Sequence, residues 1–328
     1  MEQHLEVNEQ GVWKTGNDRV PSPENVMGAP LESVQESDED RSQTSTESLG
    51  GRSYCSADYY MPNDEAEQTR LSITHQAYMQ ILDGQLTMSR IPTDISRILD
   101  VGTGTGDWAI AFGERFSNCE VIATDIATFQ PERVPPNVYF EIDDAKEDWT
   151  YTKPFDFIHM RGLTGAFSDW VAVYSEARKH LRIGGSLEIA DFGTIKNPND
   201  ASDSYLSIYN GACLSAAAKS GKPIGLDHME KQVLEAAGLS VVRSRTFDVP
   251  LGTWNPDPRK QTVGKMALIS ALEGLEAISL RLLTRHLDWK EEDVRDLYGK
   301  VTEELTRPGV RPSISCHFVI ARLLPGYS

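Results

Sequence analysis

Short apolar runs alternate with helical stretches between residues 97 and 190, and this rhythm organises the rest of the chain. The runs Arg97–Val101, Glu120–Thr124, Val138–Ile142, Phe155–Met160 and Ser186–Ala190 are each bounded by polar or glycine-containing segments, which predicts five buried strands. Between them, Trp108–Phe116 reads as a helix. Trp170, Val173, Tyr174, Ala177 and Leu181 form a second helical stripe, read as packing on the sheet. Strands that alternate with helices predict a parallel, doubly wound α/β sheet. Upstream, Leu71, Thr74, Tyr78, Ile81 and Leu82 recur at three- and four-residue steps within a helical stretch from Asp64 to Met88, and Ile91-Pro92 ends it. Downstream, Ala212–Ala218, Met229–Ala237, Lys265–Leu283 and Glu291–Leu305 read as helices. Ser240–Pro250 and Cys316–Leu324 read as strands, and no internal repeat appears.

The first fifty residues lack this rhythm. Val20–Gly51 is rich in Ser, Pro, Glu and Asp, and over residues 1–52 four Lys and Arg stand against eleven Asp and Glu, so seven of the seventeen net negative charges lie there. Such a segment buries too little apolar surface to offset its ordering entropy, so 1–52 is expected to be a disordered acidic tail and 53–328 the folded domain. The tail reads as a solubilising segment, or as a phosphorylated or partner-binding one, since Ser37, Ser42, Ser45 and Ser48 sit beside acids. The acidic balance and the lack of a Lys/Arg cluster argue against direct nucleic-acid binding. Cys55, Cys119, Cys213 and Cys316 are too dispersed for a zinc site and too few for a disulfide scaffold, and no metal is expected. No signal peptide and no membrane-spanning run is visible, so the expectation is a soluble cytoplasmic protein, with the nucleus as the alternative.

Residues 98–106, Ile-Leu-Asp-Val-Gly-Thr-Gly-Thr-Gly, carry the chemistry. Asp100 interrupts the first strand two residues before Gly102. Gly102, Thr103, Gly104 and Gly106 then form a tight turn into the helix that opens at Asp107, which brings backbone N–H groups close to a cofactor. Similar turns bind flavins and nucleotides. The dinucleotide fingerprint G-x-G-x-x-G, however, would need its third glycine at position 107, where Asp107 stands. Acids on both sides of the loop suit a cationic ligand, which points to S-adenosylmethionine. An NAD-dependent oxidoreductase is disfavoured by Asp107 and by the lack of a Tyr-x-x-x-Lys pair.

Ligands of open α/β sheets bind beyond the carboxyl ends of the strands, and here strand after strand ends in an acid. Asp125 lies 19 residues after Gly106, near the ~20 expected for a carboxylate that holds ribose hydroxyls. Asp143 and Asp144 end the third strand, where a carboxylate can accept from an adenine amino group, and Ala145 leaves room for the ring. Any one of these acids could equally be a helix N-cap. His159 and Arg161 are placed at the mouth of the fourth strand. His159 is the candidate general base, or else an imidazole that orients a loop. Arg161 is suited to holding an acidic substrate or to pairing with Asp125 or Asp144. Asp191 is a further mouth residue with no assigned role. Val134-Pro135-Pro136-Asn137 superficially matches the Asn-Pro-Pro-Tyr signature of amino-group methyltransferases, but it precedes the third strand rather than following the fourth, so it reads as a stiff loop.

The runs Arg97–Gly106, Val121–Asp125, Val134–Asn137, Phe140–Ala145, Phe155–Arg161 and Leu181–Glu188, with Trp149 and the stretch Ala271–Arg285, resemble the LaeA-like group of fungal class I methyltransferases over about 53–325. The Glu-Ile-Asp-Asp-Ala and His-Met-Arg stretches are the more specific part. The resemblance implies a Rossmann-like, seven-stranded, mostly parallel sheet with one antiparallel strand, the last. It also implies S-adenosylmethionine and a place in secondary metabolism, as a tailoring enzyme with a small-molecule methyl acceptor or as a regulator of gene clusters with protein partners reached through the tail. Asp107 departs from the group's pattern, where an apolar residue is expected. Helical additions at about 53–90, 195–235 and 255–300 are expected to close over the sheet mouth and select the acceptor.

Overall fold

The computed structural model describes residues 47–56, 58–198 and 201–325. The acidic tail expected over 1–52 therefore lies outside the described residues as far as residue 46. Its last residues do not match the expectation, because the first described elements are two short strands, β1 (Glu47–Leu49) and β2 (Arg52–Tyr54), paired antiparallel as a hairpin. Long-range ion pairs account for the ordering. Glu47 pairs with Arg281 and Arg285, and Arg52 grips Asp64 through Nε and Nη2 at 2.6 and 2.9 Å. None of this shows as local periodicity.

The hairpin leads to α1 (Glu65–Ile81), capped by Asp64, whose carboxylate accepts from the Glu67 N–H. The alternating part follows as β3 (Arg97–Val101), α2 (Asp107–Arg115), β4 (Glu120–Asp125), β5 (Val138–Ile142), β6 (Phe155–Arg161), α3 (Trp170–His180) and β7 (Leu181–Lys196). Then come α4 (Tyr205–Lys219), α5 (Lys231–Ala236), β8 (Ser240–Pro250), α6 (Pro258–His286), α7 (Glu291–Thr306) and β9 (Ser313–Arg322). The large sheet runs β5-β4-β3-β6-β7-β9-β8. Neighbours from β5 to β7 pair in parallel, and β9 is antiparallel to both β7 and β8. The expected seven strands with the last one reversed are therefore present. Strand β7 is much longer than the predicted 186–190, because β9 pairs with it as far as Lys196.

Strand order reverses between β3 and β6, which places the switch point, and so the ligand crevice, at the carboxyl ends of those two strands. Both strands are buried almost throughout, and their apolar residues join a core with α3 and α5 on one face and a core around Trp108 and Phe112 of α2 on the other. The buried acids of the sheet are satisfied. Glu188 accepts from the Met88 and Ser89 N–H groups at 2.9 and 2.7 Å, and Asp156 accepts from Ser96 and Arg97.

Helices α4, α6 and α7 form a separate apolar cluster that includes Leu206, Leu280, Leu283, Val294 and Val301, and α1 packs along α6. Helices α1, α4 and α6 fall in the stretches 53–90, 195–235 and 255–300 where the sequence predicts helical additions. No helix among the described residues is long and apolar enough to cross a membrane.

Arg281 is fully buried in α6, lies over the Tyr54 ring at 4.3 Å and donates to the Ser56 and Tyr59 carbonyls. A chain starting at Ser53 loses Glu47 and with it one partner of this cation. It should be less stable than a chain starting at Thr44 by about 1–2 kcal/mol, a partly exposed charge-assisted bond being worth that much. Parallel denaturant melts check this, and equal midpoints would show that the hairpin adds no stability.

Candidate active site

A cavity of about 340 Å3 opens where β3 and β6 end, and every residue singled out for the cofactor except Gly106 lines it. Gly106 instead sits at the N-terminal cap of α2 with φ 80°, and a Cβ there would collide with Phe140. A side chain at Gly102 would likewise run into Leu163. Gly104, with φ 59°, differs: a Cβ would meet only Leu71 at 3.3 Å. Its backbone therefore faces the cavity, with a left-handed conformation that glycine adopts at little cost.

The loop is held from beneath and from the side. Asp100 Oδ2 accepts from Thr103 Oγ1 at 2.7 Å, and Oδ1 lies 2.7 Å from His159 Nδ1. Asp125 Oδ2 accepts from the Gly104 N–H at 2.7 Å and Oδ1 from the Ala127 N–H at 3.0 Å. Burial raises the Asp125 carboxyl above its ordinary value, and these N–H groups offset part of that shift. Asp143, Asp144 and Ala145 line the same side of the cavity, with Lys146 Nζ 3.0 Å from Asp144.

His159 is not at the mouth. It lies two residues inside the end of β6, is 2 % exposed, and stacks on Trp108 with ring centroids 3.8 Å apart and planes 7° from parallel. The position pairs with Asp100 across the β3–β6 ladder. It shares a face of β6 with Arg161 but lies one pleat deeper, at the floor of the cavity against Trp108. Arg161 is the residue at the strand end, and it pairs with neither Asp125 nor Asp144. Its Nη2 lies 3.1 Å from His75 Nδ1 and its guanidinium lies 4.7 Å from the Tyr78 ring centre.

Asp191 lines the cavity and is tied down: His228 Nε2 is 3.0 Å away, and the Thr164 N–H donates to it at 3.4 Å. His228 stacks on Trp170 at 4.1 Å, so an acid, an imidazole and an indole meet here as they do at Asp100, His159 and Trp108. Asp107 accepts from Ser72 Oγ at 2.8 Å and Thr105 Oγ1 at 2.6 Å. It ties α1 to the glycine loop, and its charge is favourable in the first turn of α2.

Sequence reasoning did not single out the α1 contribution: Arg70, Leu71, Thr74, His75 and Tyr78 all line the cavity. Nor did it single out Gln130, whose Nε2 donates to the Gly104 carbonyl at 2.9 Å. The available signals were the helical addition expected over 53–90 and the aromatic run after the tail, from which Tyr59 and Tyr60 reach the cavity.

Sheet order, glycine turn and acid-lined crevice together define a class I methyltransferase fold. The sequence profile of the family described as "Methyltransferase domain" matches residues 73–247. Methyltransferase pytC of Aspergillus terreus is 33 % identical over 82 % of this chain and 84 % of its own. The secondary metabolism regulator LAE1 of Cochliobolus heterostrophus is 32 % identical over 80 % of this chain and 89 % of its own. Among solved structures, a Haemonchus contortus phosphoethanolamine N-methyltransferase 2 with S-adenosylhomocysteine is 15 % identical, with a TM-score of 0.45, over 81 % of this chain and 60 % of that one. The chain belongs to the LaeA-like class I methyltransferases. S-adenosylmethionine is its methyl donor, and the residues present suit it. The crevice carries acids for a sulfonium cation, and Asp125 keeps acceptor capacity beyond its two backbone bonds.

Burial and the neighbouring Arg161 lower the His75 pKa to about 4. Below pH 6.5 the unfolded chain takes up a proton that the folded one refuses. Stability from this group is therefore present above pH 6.5 and is lost by ~3 kcal/mol as pH falls toward 4. His75→Gln should flatten that part of the stability–pH curve. A His75 resonance that titrates near 6.5 would contradict the Arg161 contact.

Proposed function

We propose that this chain transfers the methyl group of S-adenosylmethionine to a small-molecule acceptor in fungal secondary metabolism. The observation that carries the reading is one continuous cavity with two unlike ends. The end at β3, β4 and β5 presents Asp125, Asp143 and Asp144, and the end at β7, α4 and α6 presents mainly apolar side chains such as Ile195, Tyr209, Ala271 and Leu275. The donor supplies an activated methyl on a sulfonium, so the protein mainly supplies proximity and alignment. The Asp125 carboxylate holds the ribose hydroxyls, and Asp143 or Asp144 with Ala145 receives the adenine. The Gly102–Thr105 backbone lines the methionine end. The similarity to pytC supports a tailoring role.

Regulation of gene clusters through protein partners is the second reading, favoured by the comparable similarity to the LAE1 regulator. It keeps the same donor site, with the N-terminal tail as the partner-binding segment. Both readings predict donor binding. Turnover of a small molecule from the producing organism's extract, followed by transfer of a labelled methyl group, separates them.

The donor assignment has a pH signature. Ribose hydroxyls donate to the ionised Asp125, whose protonation is favoured by burial in the free protein. Binding of S-adenosylhomocysteine should therefore release a proton in mildly acidic buffer, and affinity should rise with pH and then level off. Asp125→Asn should cost ~1.5–3 kcal/mol of affinity, the range for a charge-assisted bond, and remove the pH dependence. Calorimetry in buffers of different ionisation enthalpy reads both effects. Unchanged affinity in the variant rules out the ribose role.

For His159 the geometry favours positioning over proton transfer. With Nδ1 on Asp100 and one ring face on Trp108, the imidazole braces the acid that braces Thr103. His159→Ala should then weaken donor binding and turnover together, and higher pH should not restore activity. A variant with normal donor affinity, turnover down ~10²–10⁴-fold and rescue at high pH would make His159 the general base instead.

A further inference from the structure

Four cations line the cavity, and three of them are already engaged. Arg70 is paired with Glu67 at 2.6 Å, Lys146 with Asp144 at 3.0 Å, and Lys222 donates to the Asp58 carbonyl at 2.6 Å. Arg161 has no carboxylate within 4 Å among the described residues. Its one hydrogen-bonding contact there is the 3.1 Å approach of Nη2 to His75 Nδ1. His75 stays neutral at ordinary pH, so it accepts from the guanidinium rather than adding a second charge. The Tyr78 ring covers one face of the guanidinium. Burial lowers the Arg161 pKa from its high ordinary value, the expected sign for a cation drawn out of water. A partly buried guanidinium that lines a cavity and has no carboxylate partner there is a fork without its anion.

We infer that Arg161 anchors an acidic oxygen group, a carboxylate or an ionised acidic hydroxyl, carried by the methyl acceptor. This rests on the methyltransferase reading above and adds the class of acceptor. Charge separation along the cavity supports it. Asp125 and Asp143, which have no cationic partner among the described residues, stand at the β4 and β5 ends where a cationic donor lies, whereas Glu67 and Asp191 elsewhere on the wall are taken up by Arg70 and His228; Arg161 stands between, at the end of β6. An acceptor of this class carries an apolar body and one anionic oxygen group. The transfer is balanced without a cofactor beyond the donor: a bond forms from the acceptor's nucleophilic atom to the methyl carbon. The sulfur–methyl bond breaks with its electron pair staying on sulfur. Where the nucleophile is the ionised oxygen itself, no proton moves and the two opposite charges are neutralised.

An acidic group in this chemistry could also be the donor's own carboxylate, and the experiment separates the two sources. Calorimetric titrations use the full-length protein, the Arg161→Gln variant and the Arg161→Lys variant. Each receives S-adenosylhomocysteine and 5′-methylthioadenosine, which lacks the amino-acid end. Each complex with S-adenosylhomocysteine then receives benzoate and its uncharged isostere benzamide at millimolar concentration. The parent complex should prefer benzoate by about tenfold. Arg161→Gln should abolish the preference, Arg161→Lys should keep part of it, and the affinity for S-adenosylhomocysteine should stay within about twofold in both. A parent complex that shows no preference for benzoate, or does not bind it, overturns the proposal. So does a variant that loses S-adenosylhomocysteine but retains 5′-methylthioadenosine, since the guanidinium then serves the donor. A parent that binds neither nucleoside would instead refute the methyltransferase reading itself.

Discussion

Both oxygens of a single buried carboxylate decide the shape of the crevice. Asp100 sits 3 % exposed at the end of the central strand, with Thr103 Oγ1 on one oxygen and His159 Nδ1 on the other. Taking a carboxylate out of water is expensive unless its lone pairs are satisfied. Here one bond fixes the first turn of the glycine loop and the other locks the neighbouring strand's imidazole. Trp108 covers that imidazole and donates its own N–H to the Leu86 carbonyl at 2.8 Å. The constraint therefore runs from β3 through β6 and α2 to the segment after α1. Gly104 can present its backbone to the cavity because everything beneath it is fixed.

A second layer is tied to that centre through hydroxyls and ion pairs. Asp107 links the loop to Ser72 of α1. Two residues on, toward the other side of α1, Thr74 Oγ1 and Ser270 Oγ lie 2.6 Å apart, joining α1 to α6. Helix α6 in turn carries Arg281, on which the Ser56 and Tyr59 carbonyls and the hairpin's Glu47 converge. The α1 and α6 walls of the cavity and the hairpin are thus one connected assembly. A substitution in the hairpin at residues 47–54 would act at a distance on the cavity wall formed by Tyr59, Tyr60 and α1.

What was legible in the chain follows from the range of the forces involved. The strands β3 to β6, the glycine turn and the acids at the strand ends are written locally, in apolar runs and in glycines at positive φ. The parallel, doubly wound character of the sheet follows from strands alternating with helices, while the order of its strands does not. The misjudged features depend on partners distant in sequence. The hairpin needs Arg281 and Arg285, more than two hundred residues away. Strand β7 extends to Lys196 because β9 pairs with it there. His159 reads as a mouth residue because it shares a face of β6 with Arg161, and only the tertiary fold encloses it one pleat deeper, between Trp108 and Asp100. The cavity side of α1 was missed for a related reason. Its helical pattern is legible, but Arg70 and His75 become lining residues only once α6 closes beside them.

The buried imidazoles of this site share a physical logic that bears on the chemistry. His159 and His228 each stack on an indole and each face a strand-end aspartate, while His75 is held uncharged beside Arg161. None is set out at the mouth with a ring nitrogen free of such a neighbour. They are spent on orienting Asp100, Asp191 and Arg161. A sulfonium donor reacts readily with an ionised oxygen or a free amine once the two are aligned, so rigid placement is the more useful contribution. The site therefore concentrates its polar groups on fixing geometry. It leaves Arg161, at the end of β6, as the cavity's one cation that no carboxylate among the described residues matches.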